Sequence, residues 1–169
     1  MLRSAAAEHL VTSALARALD DAATRNGPVG PTSLHRGFVE DRDVLRRYLA
    51  DSLEGALAGA RDQLAQCTDE LWVLVWDGYI TIDDWRTDAF YAHLEVKGES
   101  HAHLFAMRYG LDADGSVAPL EARYDLGADG RYAESGRSHP LPPGEGATAP
   151  HGQVLPVTRW WLRPWRRRR

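Results

Sequence analysis

The run LWVLVWDGYITIDDWRTDAFYAHLEV, Leu71–Val96, decides how this chain folds. It is dense in Trp, Val, Ile and Tyr, the residues that suit a pleated, buried surface. A turn at Asp83-Asp84 predicts a hairpin in which Ile82 faces Trp85, Tyr79 faces Asp88 and Asp77 faces Phe90. Side chains alternate along a strand. One face then carries Trp72, Leu74, Trp76, Ile80, Ile82, Trp85, Ala89 and Tyr91. The other carries Leu71, Val73, Val75, Tyr79, Phe90, Ala92, Leu94 and Val96. Both faces are apolar, whereas an antiparallel sheet with one wet face alternates apolar and polar. Something must cover each of them: the helices can cover one, and a second subunit, a ligand or the C-terminal segment must cover the other. Gly78, inside the first strand, suggests a bulge or a close backbone approach. The competing turn, Asp77-Gly78, is the stronger hairpin dipeptide and would give shorter strands.

Outward from the hairpin the pattern changes. Upstream, residues 4–25 place Leu10, Ala14, Leu15, Ala18 and Leu19 at helical spacing and stop at Asn26-Gly27-Pro28. Gly27 to Phe38 reads as a turn-rich connector. A second helix is expected from Asp41 to Gln66, on a stripe that includes Val44, Leu45, Tyr48, Leu49, Leu53, Ala56, Leu57, Ala60 and Leu64. Asp41 or Asp43 would cap it. Downstream, strands are expected at His101–Leu111, Val117–Leu126, Arg131–Ala133 and Val154–Leu162, with turns at Asp114-Gly115 and Asp129-Gly130. Ser135–Gly152 is Pro- and Gly-rich and reads as an exposed loop. The fold class is α+β: two N-terminal helices packed on an antiparallel β-meander of about five or six strands. Residues 1–162 form one domain and 163–169 a basic tail.

Composition bounds the function classes. The chain has 169 residues, 44% hydrophobic and 26% charged, as expected of a globular domain with a substantial core. Its net charge is −4 although the end of the chain carries Arg163 and Arg166–Arg169, so the body is acidic and no nucleic-acid partner is expected. Membrane contact through the tail is not expected either. Glu8, His9 and Arg17 break the N-terminal apolar stretch, so no signal-peptide core is expected and the cytoplasm is the expected compartment. The single cysteine, Cys67, forms no internal disulfide and reads as a small apolar residue near a helix end.

Asp77-Gly78-Tyr79, Thr81 and Arg86-Thr87-Asp88-Ala89 across the turn resemble an uncharacterised bacterial family, as does the later LFAMRY, Leu104 to Tyr109. The resemblance covers about forty residues and implies the longer strands turning at Asp83-Asp84. It implies no activity.

Three side-chain sets carry candidate chemistry. His93, Glu95, His101 and His103 suit a transition metal, and a three-residue loop Gly98-Glu99-Ser100 would set Glu95 opposite His103 and gather all four on one face. A register shift of one residue splits them. Asp77, Arg86 and Asp88 share a face, as an ion-pair clamp or an anion site. Glu95-Val96-Lys97 with Asp84 or Asp88 superficially matches a metal-dependent nuclease. An extended strand, however, separates Asp88 from Glu95 by roughly 23 Å. Asp112-Ala-Asp114-Gly115 lacks the distal Glu of a calcium loop, since Arg123 stands there. The two apolar faces favour a non-enzymatic binding or protein-interaction module, a homodimer with Trp72, Trp76, Trp85 and Tyr91 as contact residues. The alternative is a small metal-dependent or ligand-binding enzyme using His93, Glu95 and His103. No cofactor is implied.

Overall fold

A computed structural model describes residues 5–25, 29–36, 43–129, 148–149 and 152–155. In chain order the elements are α1 (Ala5–Arg25), β1 (Thr32–Arg36), β2 (Asp43–Arg47), α2 (Leu53–Leu64), β3 (Leu71–Ile82), β4 (Trp85–Val96), β5 (Ala102–Leu111), β6 (Val117–Pro119), β7 (Tyr124–Asp129), β8 (Thr148–Ala149) and β9 (Gly152–Leu155). The sheet runs β2-β1-β3-β4-β5-β6, with β7 also on β5 and β9 also on β3. Each of these strand pairs is antiparallel.

The central hairpin has the expected register, with Leu71 opposite Val96, Tyr79 opposite Asp88 and Ile82 opposite Trp85. Asp83 and Asp84 take φ of 49° and 63°, the left-handed pair that a two-residue hairpin turn needs. Aspartate is among the few side chains that tolerate this region. Gly78 lies in the unbroken ladder opposite Ala89, so the expected bulge is absent there. The irregularity falls instead between β5 and β7, where the register shifts at Leu104/Phe105 and Gly127 adopts φ 89°.

Both faces of the hairpin are buried, and each has its own cover. On one face Leu10, Val11, Ala14, Leu15 and Ala18 of α1 share a cluster with Val73, Val75, Phe90, Leu94 and Phe105. On the other, Leu53, Ala56, Leu57, Ala60 and Leu64 of α2 share a cluster with Trp72, Leu74, Trp76, Ile80, Tyr91 and Leu104. Fully burying a large apolar side chain stabilises by about 1.5–3 kcal/mol, so neither face could stay wet at low cost. The helices therefore do not form one N-terminal pair. They sit on opposite faces, separated in sequence by the β1–β2 hairpin.

That hairpin corrects two expectations. The connector Gly27–Phe38 contains β1, and the expected helix Asp41–Gln66 is β2 followed by the shorter α2. Val44, Leu45, Tyr48 and Leu49 have helical spacing, but on β2 Val44 and Leu45 point to opposite faces and both are exposed. Ser52 starts the helix instead: it is extended, at φ −138°, and its hydroxyl accepts from Gly55 N at 3.0 Å. The expected strand Val117–Leu126 is broken into β6 and β7, which pair with different stretches of β5. The expected strand Arg131–Ala133, most of the loop Ser135–Gly152 and the basic tail lie outside the described residues. β9 begins before the expected Val154 and pairs with Tyr79–Ile82 of β3. Among the described residues no helix is long and apolar enough to cross a membrane.

Candidate functional site

Most of the expected contact residues are interior. Trp72, Trp76 and Tyr91 lie beneath α2, 2% exposed or less, and only Trp85, at the hairpin tip, is open, at 74%. The face they were expected to offer a partner is already occupied by α2.

The expected metal set is split. The β4–β5 register places Leu94, not Glu95, opposite His103. His103 therefore lies on the α1 side and pairs with Glu99 at 2.8 Å. His93 and Glu95 point to the α2 side, where His93 Nδ1 meets Asp129 at 3.1 Å and Nε2 lies 3.7 Å from Glu95. Opposite nitrogens of one ring address these two acids, so a single cation does not reach all three. His101 is exposed just before β5.

The clamp set is also rearranged. Buried Asp77 takes hydrogen bonds from Tyr109 Oη at 2.8 Å and Val29 N at 3.4 Å, while the Arg86 guanidinium lies 3.9 Å above the Tyr79 ring. Burial pushes the Asp77 carboxyl up to about 7; hydrogen bonds from Tyr109, Val29 N and Gly78 N oppose the rise and the Asp88 charge adds to it. In the Asp112 turn, Oδ1 accepts from Asp114 N and Ser116 N, an Asx turn that uses the carboxylate locally.

The densest polar arrangement lies where β1 meets the connector between α2 and β3. Ser33 and His35, two apart on β1, point to the α2 side. Cys67 and Asp69, two apart on the connector, approach them. His35 Nδ1 is 2.7 Å from Asp69 Oδ2, and Cys67 Sγ is 3.3 Å from that oxygen and 3.8 Å from Nδ1. The other ring nitrogen, Nε2, is 2.7 Å from Ser33 Oγ, which is 2.8 Å from Tyr48 Oη. Trp72 stands beside His35, with ring centroids 6.3 Å apart, and stacks on His93 at 5.7 Å.

The charges at this cluster follow from its position. Burial and then the Arg46 charge lower the His35 pKa, against the pull of Asp69, so the ring is neutral at pH 7. Burial raises the Cys67 thiol. Burial acts to raise Asp69 as well, but hydrogen bonds from Cys67 and His35 outweigh it, and its pKa falls. Burial raises the Tyr48 phenol too.

Ser33, His35 and Asp69 are spaced like a Ser-His-Asp relay of acyl transfer. Ser33, however, is fully buried and its hydroxyl is engaged by Tyr48, so no acyl group reaches Oγ. What the arrangement offers the outside is the Nδ1–Sγ–Oδ2 edge. Sequence reading missed it because Ser33 and His35 sit in an apparent loop and Cys67 looks like an apolar filler. The available signal was a pair of i, i+2 polar spacings, Ser33-x-His35 and Cys67-x-Asp69.

No family model, no curated protein and no solved structure matches the chain.

Proposed function

We propose that the protein is a non-enzymatic interaction module that pairs with a second copy of itself through edge strand β2. Its sheet faces are covered from within the chain, so the partner surface moves to the edge. The observation that carries this reading is that all five residues of β2 are exposed, with Val44, Leu45 and the following Leu49 open at 48%, 37% and 86%. Among the described residues β2 has a ladder partner on one side only, β1. A bare edge of this kind is a template for another strand.

The order of charges favours a second copy. Antiparallel pairing about a two-fold axis at Leu45 sets Asp43 of each chain opposite Arg47 of the other and Leu45 opposite itself. Arg47 already reaches Asp21 at 2.9 Å, so the pairing extends an existing acidic–basic network.

Sedimentation of the full chain over a wide concentration range tests this. Leu45→Lys combined with Leu49→Lys is expected to weaken self-association at least about tenfold, roughly 1.4 kcal/mol. Leu111→Lys, at an exposed residue distant from β2 in the strand order, is expected to leave it unchanged. A chain that stays monomeric at high concentration rejects the reading.

A further inference from the structure

We propose that His35, Cys67 and Asp69 form a binding site for a divalent cation of the zinc class. This inference is independent of self-association. The donor set is one imidazole, one thiol and one carboxylate, and the candidate ligand atoms all lie within 4.8 Å of one another. Such mixed nitrogen, sulfur and oxygen sets suit zinc rather than calcium or magnesium.

The distances support a tetrahedral centre. Zinc bonds of about 2.0–2.3 Å place neighbouring ligand atoms roughly 3.3–3.8 Å apart. Cys67 Sγ already stands at 3.3 Å from Asp69 Oδ2 and 3.8 Å from His35 Nδ1. Only the His35–Asp69 separation, 2.7 Å, is too short, because a hydrogen bond now closes it. Asp69 is the ligand free to move: its side chain is 37% exposed and sits on a connector, whereas His35 is 2% exposed on a strand. A fourth ligand, a water, would enter from the partly exposed Asp69 side.

The residues behind His35 fit a metal ligand. A ring that binds metal through Nδ1 must carry its proton on Nε2 and donate it. Ser33 Oγ lies 2.7 Å from Nε2 and can accept that proton's hydrogen bond while donating to Tyr48 Oη at 2.8 Å. Without metal the chain runs the other way: Nδ1–H donates to Asp69, and Nε2 accepts from Ser33. A serine hydroxyl serves both states, since it rotates between donor and acceptor. On binding, Cys67 gives up its proton and acts as thiolate. Arg46, opposite Ser33 on β2, opposes a cation, and its field reaches His35, Cys67 and Asp69.

Titration of the full chain with cobalt(II) tests the site, because Cys67 is the sole cysteine and any sulfur-to-cobalt charge-transfer band reports on it alone. One cobalt per chain with such a band, bleached by added zinc, is the expected result. Asp69→Asn should weaken binding at least tenfold with the band retained at saturation, and Arg46→Gln should tighten it severalfold. Circular dichroism confirms that each variant is folded. No sulfur band at saturating cobalt overturns the proposal, and an unchanged affinity in a folded Asp69→Asn overturns the three-ligand set.

Discussion

The two sides of the sheet are equally dry but differently built. Beneath α1 lie aliphatic residues and Phe, with buried Asp77 and the Phe90–Tyr109 stack at 4.3 Å. Beneath α2 lie Trp72, Trp76 and Tyr91 together with buried Ser33, His35, His93 and Glu95. Ser33 and His35 are held there by hydrogen bonds to Tyr48 and Asp69, and His93 by Asp129 and by the Trp72 ring stacked on it, while His93 Nε2 and Trp76 Nε1 are buried without a hydrogen bond among the described residues. A hydrogen-bonded polar group costs little to bury, and an unsatisfied one costs about 1–3 kcal/mol. Among the described residues the α1 side buries one carboxylate, Asp77, which keeps hydrogen bonds from Tyr109 and Val29 and still titrates higher.

The strongest test of this contrast is a pair of truncations. Trp72→Ala and Phe90→Ala should each destabilise by about 3–5 kcal/mol in urea unfolding. Trp72→Ala should be the worse, because it also unpacks His35 and His93. A smaller loss at Trp72 than at Phe90 would break the view that the aromatic side is the more integrated one.

Next comes Asp77. Its folded pKa of about 7 lies above the ordinary 3.8, so the folded state holds a proton that the unfolded state has released. Its contribution is full below about pH 4 and is lost as pH rises through about 7, amounting to at most roughly 4 kcal/mol. Asp77→Asn should flatten that slope in urea midpoints measured between pH 4.5 and 8. An unchanged profile would mean that Asp77 does not carry the slope.

The means of holding each cover gives smaller effects. Ser52→Ala removes the α2 cap and should cost about 1 kcal/mol, read as a shift in thermal midpoint. Arg123 bonds to Glu8 and Thr12 of α1 and lies 5.1 Å from the Phe105 ring. Arg123→Ala should cost under about 1 kcal/mol and less still in high salt. A larger loss at Arg123 than at Ser52 would show α1 to be the more weakly held cover.

Much of the fold was legible. With the turn at Asp83-Asp84, which the resemblance implied over the stronger dipeptide Asp77-Gly78, the register of β3 and β4 and the division of residues between faces follow from alternation. Helix α1 was legible from its apolar stripe. The β1–β2 hairpin was not. β1 buries Ser33 and His35, whose polarity reads as loop until Tyr48 and Asp69 are seen to satisfy them. The apolar residues around β2 have helical spacing although the segment pairs with β1 as a strand, and Ser52 marks the true helix start.

The sequence by itself determined that both sides of the Leu71–Val96 hairpin must be dry, because its apolar residues fill both phases of the alternation. Only the tertiary structure decided what covers them. Which helix meets which face, and whether His93 meets His103 or Asp129, depends on contacts between segments far apart in the chain. The same holds for the meeting of His35 with Cys67 and Asp69. A one-residue change in strand register alters such contacts without altering any local pattern.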